Sequence, residues 1–341
     1  MFKLLNLIFL SLFCANIHAH QEIYYGAWAG TIGKNKVQVC LAKYGAQYYY
    51  LRHKVGISLE LDENNPIQWF ETVKNRKTWD WDKTGSWTLD KITNNQIQGQ
   101  WTSPNATQQE LINLARIGNL EDDICPSIFY QPIENSLNFQ YGKDKFGQVS
   151  FKTIITKTGT AFEVPDSAKN SKKINAFIME WLKEQAVAGY DCQLNGGGGW
   201  SKELRPILWT KKWLVLIDIL PDTYCGGAHG GWSIDHHTFN LTTGKKVNVA
   251  TWFNQKVNYE PNNDTKSAFT QLIEKLNPRD DCDSPMGLNE PYPLLNGLVF
   301  PTSYSHAERA CEDEIFISYK DLQPYLSKEG KAAIATIIEN K

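Results

Sequence analysis

The residues best able to do chemistry in this 341-residue chain crowd into one stretch, "YCGGAHGGWSIDHHTFNLTTGKK", from 224 to 246. Cys225, His229, Asp235, His236 and His237 are all chemically able metal ligands. A strand turns successive side chains to opposite faces, and Phe239 and Leu241 mark the buried side of "SIDHHTFNL". Asp235 and His237 therefore share one face, while His236 and Thr238 point the other way. One ion cannot take both His236 and His237. With Cys225 read as spent in a disulfide, His229, Asp235 and His237 remain as a three-ligand alternative. The competing reading is a buried histidine satisfied by hydrogen bonds, with His236 exposed.

Two other chemistries fit less well. A nucleophile needs a serine or cysteine held beside a base and an orienting acid. Ser233 lies near these histidines, and Ser305 and His306 lie near Glu308. Neighbours along a strand do not bond as a triad, and no G-x-S-x-G elbow is present. A phosphate loop requires G-x-x-x-x-G-K-[ST] between strand and helix. Gly244, Lys245 and Lys246 instead sit between two apparent strands, so Gly244 reads as the positive-φ residue of a hairpin. What remains is "CGGAHGG", small residues suited to close backbone approach between two strands. Beside Trp232, such an exposed connection also suits a partner-binding edge. Tyr224, Trp232, Trp200 and His229 are the candidate binding residues.

The elements that must position these residues fall into two unlike halves. Residues 20–120 alternate short apolar runs with Gly, Asn and Asp turns, as in "NKVQVCLAKY" and "GSWTLDK". Short strands at such spacing predict an antiparallel β-barrel or sandwich. Within it, "KTWDWDKTGSW" carries Trp79, Trp81 and Trp87, either a sugar-stacking platform or one Trp face buried in a small barrel. Residues 121–147 read as a linker. From 148 to 341 the pattern becomes mixed. Ile174, Phe177, Ile178, Trp181 and Leu182 recur at helical spacing, and "NDTKSAFTQLIEKLN" reads as a helix capped by Asp264. The overall expectation is α+β, an all-β region followed by a mostly antiparallel sheet with a few packed helices.

Composition sets the compartment. "MFKLLNLIFLSLFCANIHAHQ" has Lys3, an apolar run and Ala19 at a small-residue cleavage position, which reads as a secretory leader spanning 1–19. Its apolar run is too short to span a bilayer comfortably, and Cys14 follows Phe13 rather than the small residue a lipoprotein signal requires. Cys40, Cys125, Cys192, Cys225, Cys282 and Cys311 are then an even set suited to disulfides in an oxidising compartment such as the periplasm. Neighbour-with-neighbour pairing (40 with 125, 192 with 225, 282 with 311) is the favoured guess among the possible arrangements. The formal net charge of −2 carries no basic patch dense enough for nucleic acid or an anionic membrane. No cofactor is expected.

The stretch "YCGGAHGGWSIDHHTFNLTTGKKVNVATWF" resembles the core motif of an exported domain of uncharacterised biochemistry. That domain is found in the lysozyme-sensing anti-sigma factor of Gram-positive bacteria and beside the catalytic module of some cell-wall polysaccharide deacetylases. The matching positions are Gly226, Gly227, Ala228 and His229, then Phe239, Asn240 and Leu241, then Thr243, Gly244 and Lys245. "KKINAFI" around Ile174 and Asn175 resembles the upstream helix, and "LNGLVFPTSYSHAERAC" with "EIFISYKDLQPYL" the closing strands and helix, so the likeness spans roughly 148–330. The N-terminal β region is similar to a module of other exported proteobacterial proteins. The resemblance implies a receptor for a folded protein partner, a lysozyme-like cell-wall hydrolase, rather than an enzyme. It carries over no contact residues. The cysteines at 192, 225, 282 and 311 depart from the pattern, as does the lack of a membrane-spanning helix, so anti-sigma signalling is not implied. The expectation is a non-enzymatic periplasmic protein that binds, and as an inhibitor or immunity protein neutralises, a wall hydrolase. A metal-assisted envelope hydrolase and a peptidoglycan-binding module are the alternatives.

Overall fold

The computed structural model describes residues 24–43, 45–75, 77–78, 80–226, 229–254, 268–276, 287–304 and 306–339. The leader, Trp79, Gly227, Ala228, Asp264, Cys282 and Ser305 lie outside the described residues. The chain forms two compact units. One comprises Met1–Asn138, Lys183–Trp200 and Asp222–Gly231; the other comprises Phe139–Leu182, Ser201–Pro221 and Trp232–Lys341.

The first unit is built on eight antiparallel strands: β1 (Gly26–Ile32), β2 (Asn35–Leu41), β3 (Gln47–Tyr50), β4 (Gly56–Leu61), β5 (Gln68–Lys74), β6 (Trp81–Ile92), β7 (Gln96–Thr102) and β8 (Gln109–Gly118). Each pairs with the next, and β1 pairs with β8, so the sheet closes into a barrel with no free edge. Of the two expected architectures, the barrel is the one adopted. The alternating inward positions supply its core, with Trp28, Val39, Tyr48, Trp69, Trp87 and Ile97 all buried.

The stretch 121–147 is not bare linker. It carries a helix, α1 (Ser127–Glu134), and the whole of the next strand, β9 (Gln140–Phe146). Pro126 stands at the N-cap of α1, where its missing N–H costs nothing. Phe129 is fully buried with Tyr49 and Tyr190, and the Tyr49 hydroxyl donates to the Phe129 carbonyl at 2.6 Å. The Cys40–Cys125 disulfide fixes this helix to strand β2. Bridging residues 85 apart, it stabilises by roughly 4–5 kcal/mol on the chain-entropy account.

The second unit holds a seven-stranded sheet of order β15-β14-β13-β12-β11-β10-β9. Its further strands are β10 (Val149–Ile155), β11 (Gly159–Glu163), β12 (Lys202–Trp209), β13 (Trp213–Thr223), β14 (Gly231–Asn240) and β15 (Lys245–Lys246). The β11–β12 pair is parallel, because the long helix α2 (Ser171–Leu194) lies between them in sequence. A four-stranded sheet follows, of β16 (Gly287–Leu288), β17 (Tyr292–Pro293), β18 (Gly297–Ser303) and β19 (Glu314–Ser318), with helices α3 (Ala268–Leu276), α4 (Tyr319–Leu322) and α5 (Lys328–Ile338). Trp213, Trp252, Phe253, Phe269, Leu298 and Phe300 form its core. The fold is α+β. Among the described residues no helix is long and apolar enough to cross a membrane.

Candidate functional site

Much of the stretch that looked chemical is turn construction. The Asn240 side chain accepts from the N–H of Thr242 (2.8 Å) and of Thr243 (3.2 Å), and the Gly244 N–H donates to the Asn240 carbonyl at 2.7 Å. Gly244 has φ +68°, the left-handed conformation such a turn demands. The Asn170 amide donates to the carbonyls of Leu241 and Thr242, and Lys173 to that of Thr243, tying the start of α2 to this turn. Asn175 clamps Val164, accepting from its N–H at 2.8 Å and donating to its carbonyl at 3.0 Å. Asn175, Asn240, Thr243 and Gly244 are therefore scaffold.

Cys225 and Gly226, at the start of "CGGAHGG", are likewise fixed by covalent and backbone constraints. Cys225 is bonded to Cys192, so two of the three favoured cysteine pairs are present. Cys311 is also in a disulfide. Gly226 has φ +91°, and Gly197 lies where a side chain would strike the backbone of Tyr224 and Cys225. His229 is exposed, its Nδ1 2.8 Å from the Gly230 carbonyl oxygen. Tyr224 is 37% exposed, and Trp200 is half-buried. These four, Trp200, Tyr224, Cys225 and His229, belong to the first unit; Trp232, Asp235 and His237 belong to the second.

In the second unit the two faces of β14 do different things. Asp235, His237 and Phe239 lie on one face, as the alternation predicts, with Phe177 of α2 edge-on to both the His237 and Phe239 rings. Beside them stands Asp218 of β13, only 4% exposed. Trp181 of α2 donates its indole N–H to Asp218 Oδ2 at 2.8 Å, and Lys202 Nζ lies 3.3 Å from the same carboxylate. Lys202 also reaches Asp235 at 3.8 Å, and His237 Nε2 is 3.7 Å from Asp218 Oδ2. Burial pushes the Asp218 carboxyl up, but the donors from His237, Trp181 and Lys202 outweigh it and hold the group below the usual carboxylate range.

The Lys202 ammonium thus stands between two carboxylates, those of Asp218 and Asp235. Among the described residues no group of three or more His, Cys, Asp or Glu is placed to hold a metal. The cluster is an ion-pair network with a built-in cation. It buries Asp218 and brings Asp235 (side chain 60% exposed) to the surface.

The opposite face of β14 presents Trp232 and Ile234, 36% and 43% exposed, and then His236. Arg309 lies over the Trp232 ring, 4.4 Å from its centroid, and donates to the Trp232 carbonyl at 2.6 Å. His236, expected to be exposed, is instead stacked on Tyr292 with ring centroids 3.7 Å apart. Desolvation, with the neighbouring His237 charge second, lowers its pKa to about 4. The imidazole is therefore a neutral packing element at neutral pH, and Trp232 is an exposed aromatic held in one orientation.

The aromatic run of the barrel divides. Trp87 is fully buried and donates to Glu71 Oε1 at 2.7 Å, so it faces the barrel interior and is no sugar platform. Trp81 is 43% exposed, with Lys74 over its ring at 5.0 Å. Asp218, Lys202, Arg309 and Glu71 were all missed by sequence reasoning. Asp218 left a signal, a lone acid inside the apolar run "WLVLIDIL".

No known protein family's sequence profile matches the chain, and no curated protein matches it. Its structural neighbours are proteins of the uncharacterised DUF3298 family. A solved structure of a DUF3298 family member from Bacteroides fragilis is 14% identical, with a TM-score of 0.34, covering 60% of this chain and 98% of its own. Another from Pseudomonas aeruginosa PAO1 is 14% identical, with a TM-score of 0.34, covering 57% of this chain and 97% of its own. The disulfides and the lack of a membrane-spanning helix among the described residues are consistent with an exported protein.

Proposed function

We propose that the chain is a periplasmic recognition protein that binds a cell-wall hydrolase and blocks it. The leader read in residues 1–19 would deliver it there. The observation that carries this reading is the Trp232–Ile234 strip with Arg309, a solvent-facing aromatic and aliphatic pair on a sheet strand. Tryptophan and arginine dominate the energetics of protein interfaces, and an anchor already fixed in its bound orientation loses little entropy on binding. The Asp218–Lys202–His237 network packs against the reverse face of β14. The resemblance of Tyr224–Phe253 to the lysozyme-sensing domain supports the choice of partner.

The test is a binding titration of the purified protein, disulfides intact, against a panel of secreted wall hydrolases. Trp232→Ala is expected to weaken the complex by at least about tenfold, the loss of a typical anchor. Alanine at Tyr224, Trp200 and His229 measures whether the first unit contributes to the same surface. An unchanged affinity in Trp232→Ala overturns the placement of the interface.

A further inference from the structure

The rim of the barrel carries a second feature, separate from the Trp232 strip. In an antiparallel pair the start of one strand lies beside the end of the next, so the β1–β2 turn and the β3–β4 loop meet at the same rim. The pairing of Val37 with Tyr50 sets this register, and the Leu51 N–H donates to the Lys36 carbonyl at 3.0 Å. The loop then tightens: the N–H groups of His53 and Lys54 both donate to the Tyr50 carbonyl, at 3.0 and 2.8 Å, and Lys54 takes φ +52°. The result is a concavity of about 580 Å³ lined by Lys34, Asn35, Lys36, Tyr50, Leu51, Arg52 and His53.

No carboxylate lines it. Among the described residues, none of Lys34, Lys36, Arg52, His53 or the adjoining Lys54 makes an ion pair. Glu110 lies against Gly33 at the same rim but forms no ion pair with them. On a chain whose net charge is −2 this is an unusual concentration of one sign. Like charges gathered in a pocket repel one another and raise the local potential, which an incoming anion relieves. Arg52 offers the planar fork that suits phosphoryl oxygens, and the lysines supply point charges around it.

We propose that this rim pocket binds a phosphoryl-bearing anion, through Lys34, Lys36 and Arg52. The experiment is isothermal titration of the full mature protein with inorganic pyrophosphate, on the wild type, on Lys36→Glu/Arg52→Glu, and on Lys91→Glu. Lys91 is an exposed barrel lysine outside the pocket, and near-ultraviolet circular dichroism confirms that each variant is folded. Saturable binding is expected for the wild type and for Lys91→Glu, weakened about tenfold or more at high ionic strength and abolished by the double reversal. No saturable binding to the wild type overturns the proposal, as does a loss in Lys91→Glu equal to that in the double variant, which would mark a diffuse charge effect. Co-sedimentation with vesicles of neutral or anionic phospholipid separates the sources. Capture by the anionic vesicles that the double reversal abolishes identifies a lipid headgroup, and pyrophosphate binding without vesicle capture identifies a soluble phosphate.

Discussion

Glu71 in the barrel and Asp218 on the mixed sheet are both almost sealed from water, 2% and 4% exposed, yet they are satisfied by opposite means. Glu71 of β5 accepts from neutral donors, the Tyr48 hydroxyl of β3 at 2.5 Å and, from the adjoining β6, the Trp87 indole at 2.7 Å and Thr84 at 3.4 Å. Asp218 is met by a lysine, an indole and a histidine, and through Lys202 the network continues to Asp235 at the surface. The first arrangement cross-links an interior. The second couples a buried charge to a solvent-facing strand, and that strand carries Trp232. The contrast separates a carboxylate enclosed within the fold from one linked to an exposed strand.

The largest effect expected from breaking this contrast is at Lys202. Lys202→Met leaves Asp218 buried without its permanent counter-charge and costs about 3–5 kcal/mol, read as a fall in urea midpoint. A loss as small as that of a surface substitution would show that Lys202 does not compensate Asp218.

Next comes pH. The folded-state pKa of His236 is lowered to about 4. Between an unfolded value of about 6.5 and that figure the unfolded chain binds the proton and the folded one does not, so stability is full above the window and falls as pH drops through it. The loss is on the order of 3 kcal/mol. His236→Phe keeps the stack on Tyr292 and should flatten the pH dependence of the melting temperature in that window. A variant that retains the wild-type slope assigns the effect elsewhere. Below the window Asp218 adds to it, since a carboxyl held below its unfolded value loses its contribution as it protonates.

Glu71→Gln should cost less, about 1–3 kcal/mol, because an amide of the same shape still accepts from Trp87 and Tyr48. A cost exceeding that of Lys202→Met would reverse the ranking of the two networks. Smallest in stability, at under about 1 kcal/mol, is Trp232→Ala, whose effect belongs in binding. A large loss of stability there would make Trp232 a structural residue.

The periodicities that build the molecule were readable. The alternation in the first region announces short strands, Asp235 and His237 do share a face of β14, and α2 follows the Ile174–Leu182 stripe. Two cysteine pairs also lie where proximity in sequence placed them. The helix Ser127–Glu134 within the expected linker was not legible, because Pro126 and Pro132 disfavour a helix locally, whereas the Phe129 anchor and a disulfide to a distant strand hold it. The candidate site was legible only in part. Asp235 and His237 were visible as a pair, but their partners Asp218, Lys202 and Trp181 come from two other strands and a helix. No local pattern reports such long-range company. Trp87 shows the same limit: only the closure of the sheet turns it from a plausible platform into a buried donor.

The most direct measurement of the central claim is a lysis assay in which each secreted wall hydrolase is titrated with the mature protein, disulfides intact. Lytic activity falling to zero at a one-to-one ratio for one of them, and restored by Trp232→Ala, is the result predicted. Undiminished lysis by all of them at micromolar excess, with no complex on size-exclusion chromatography, would contradict it.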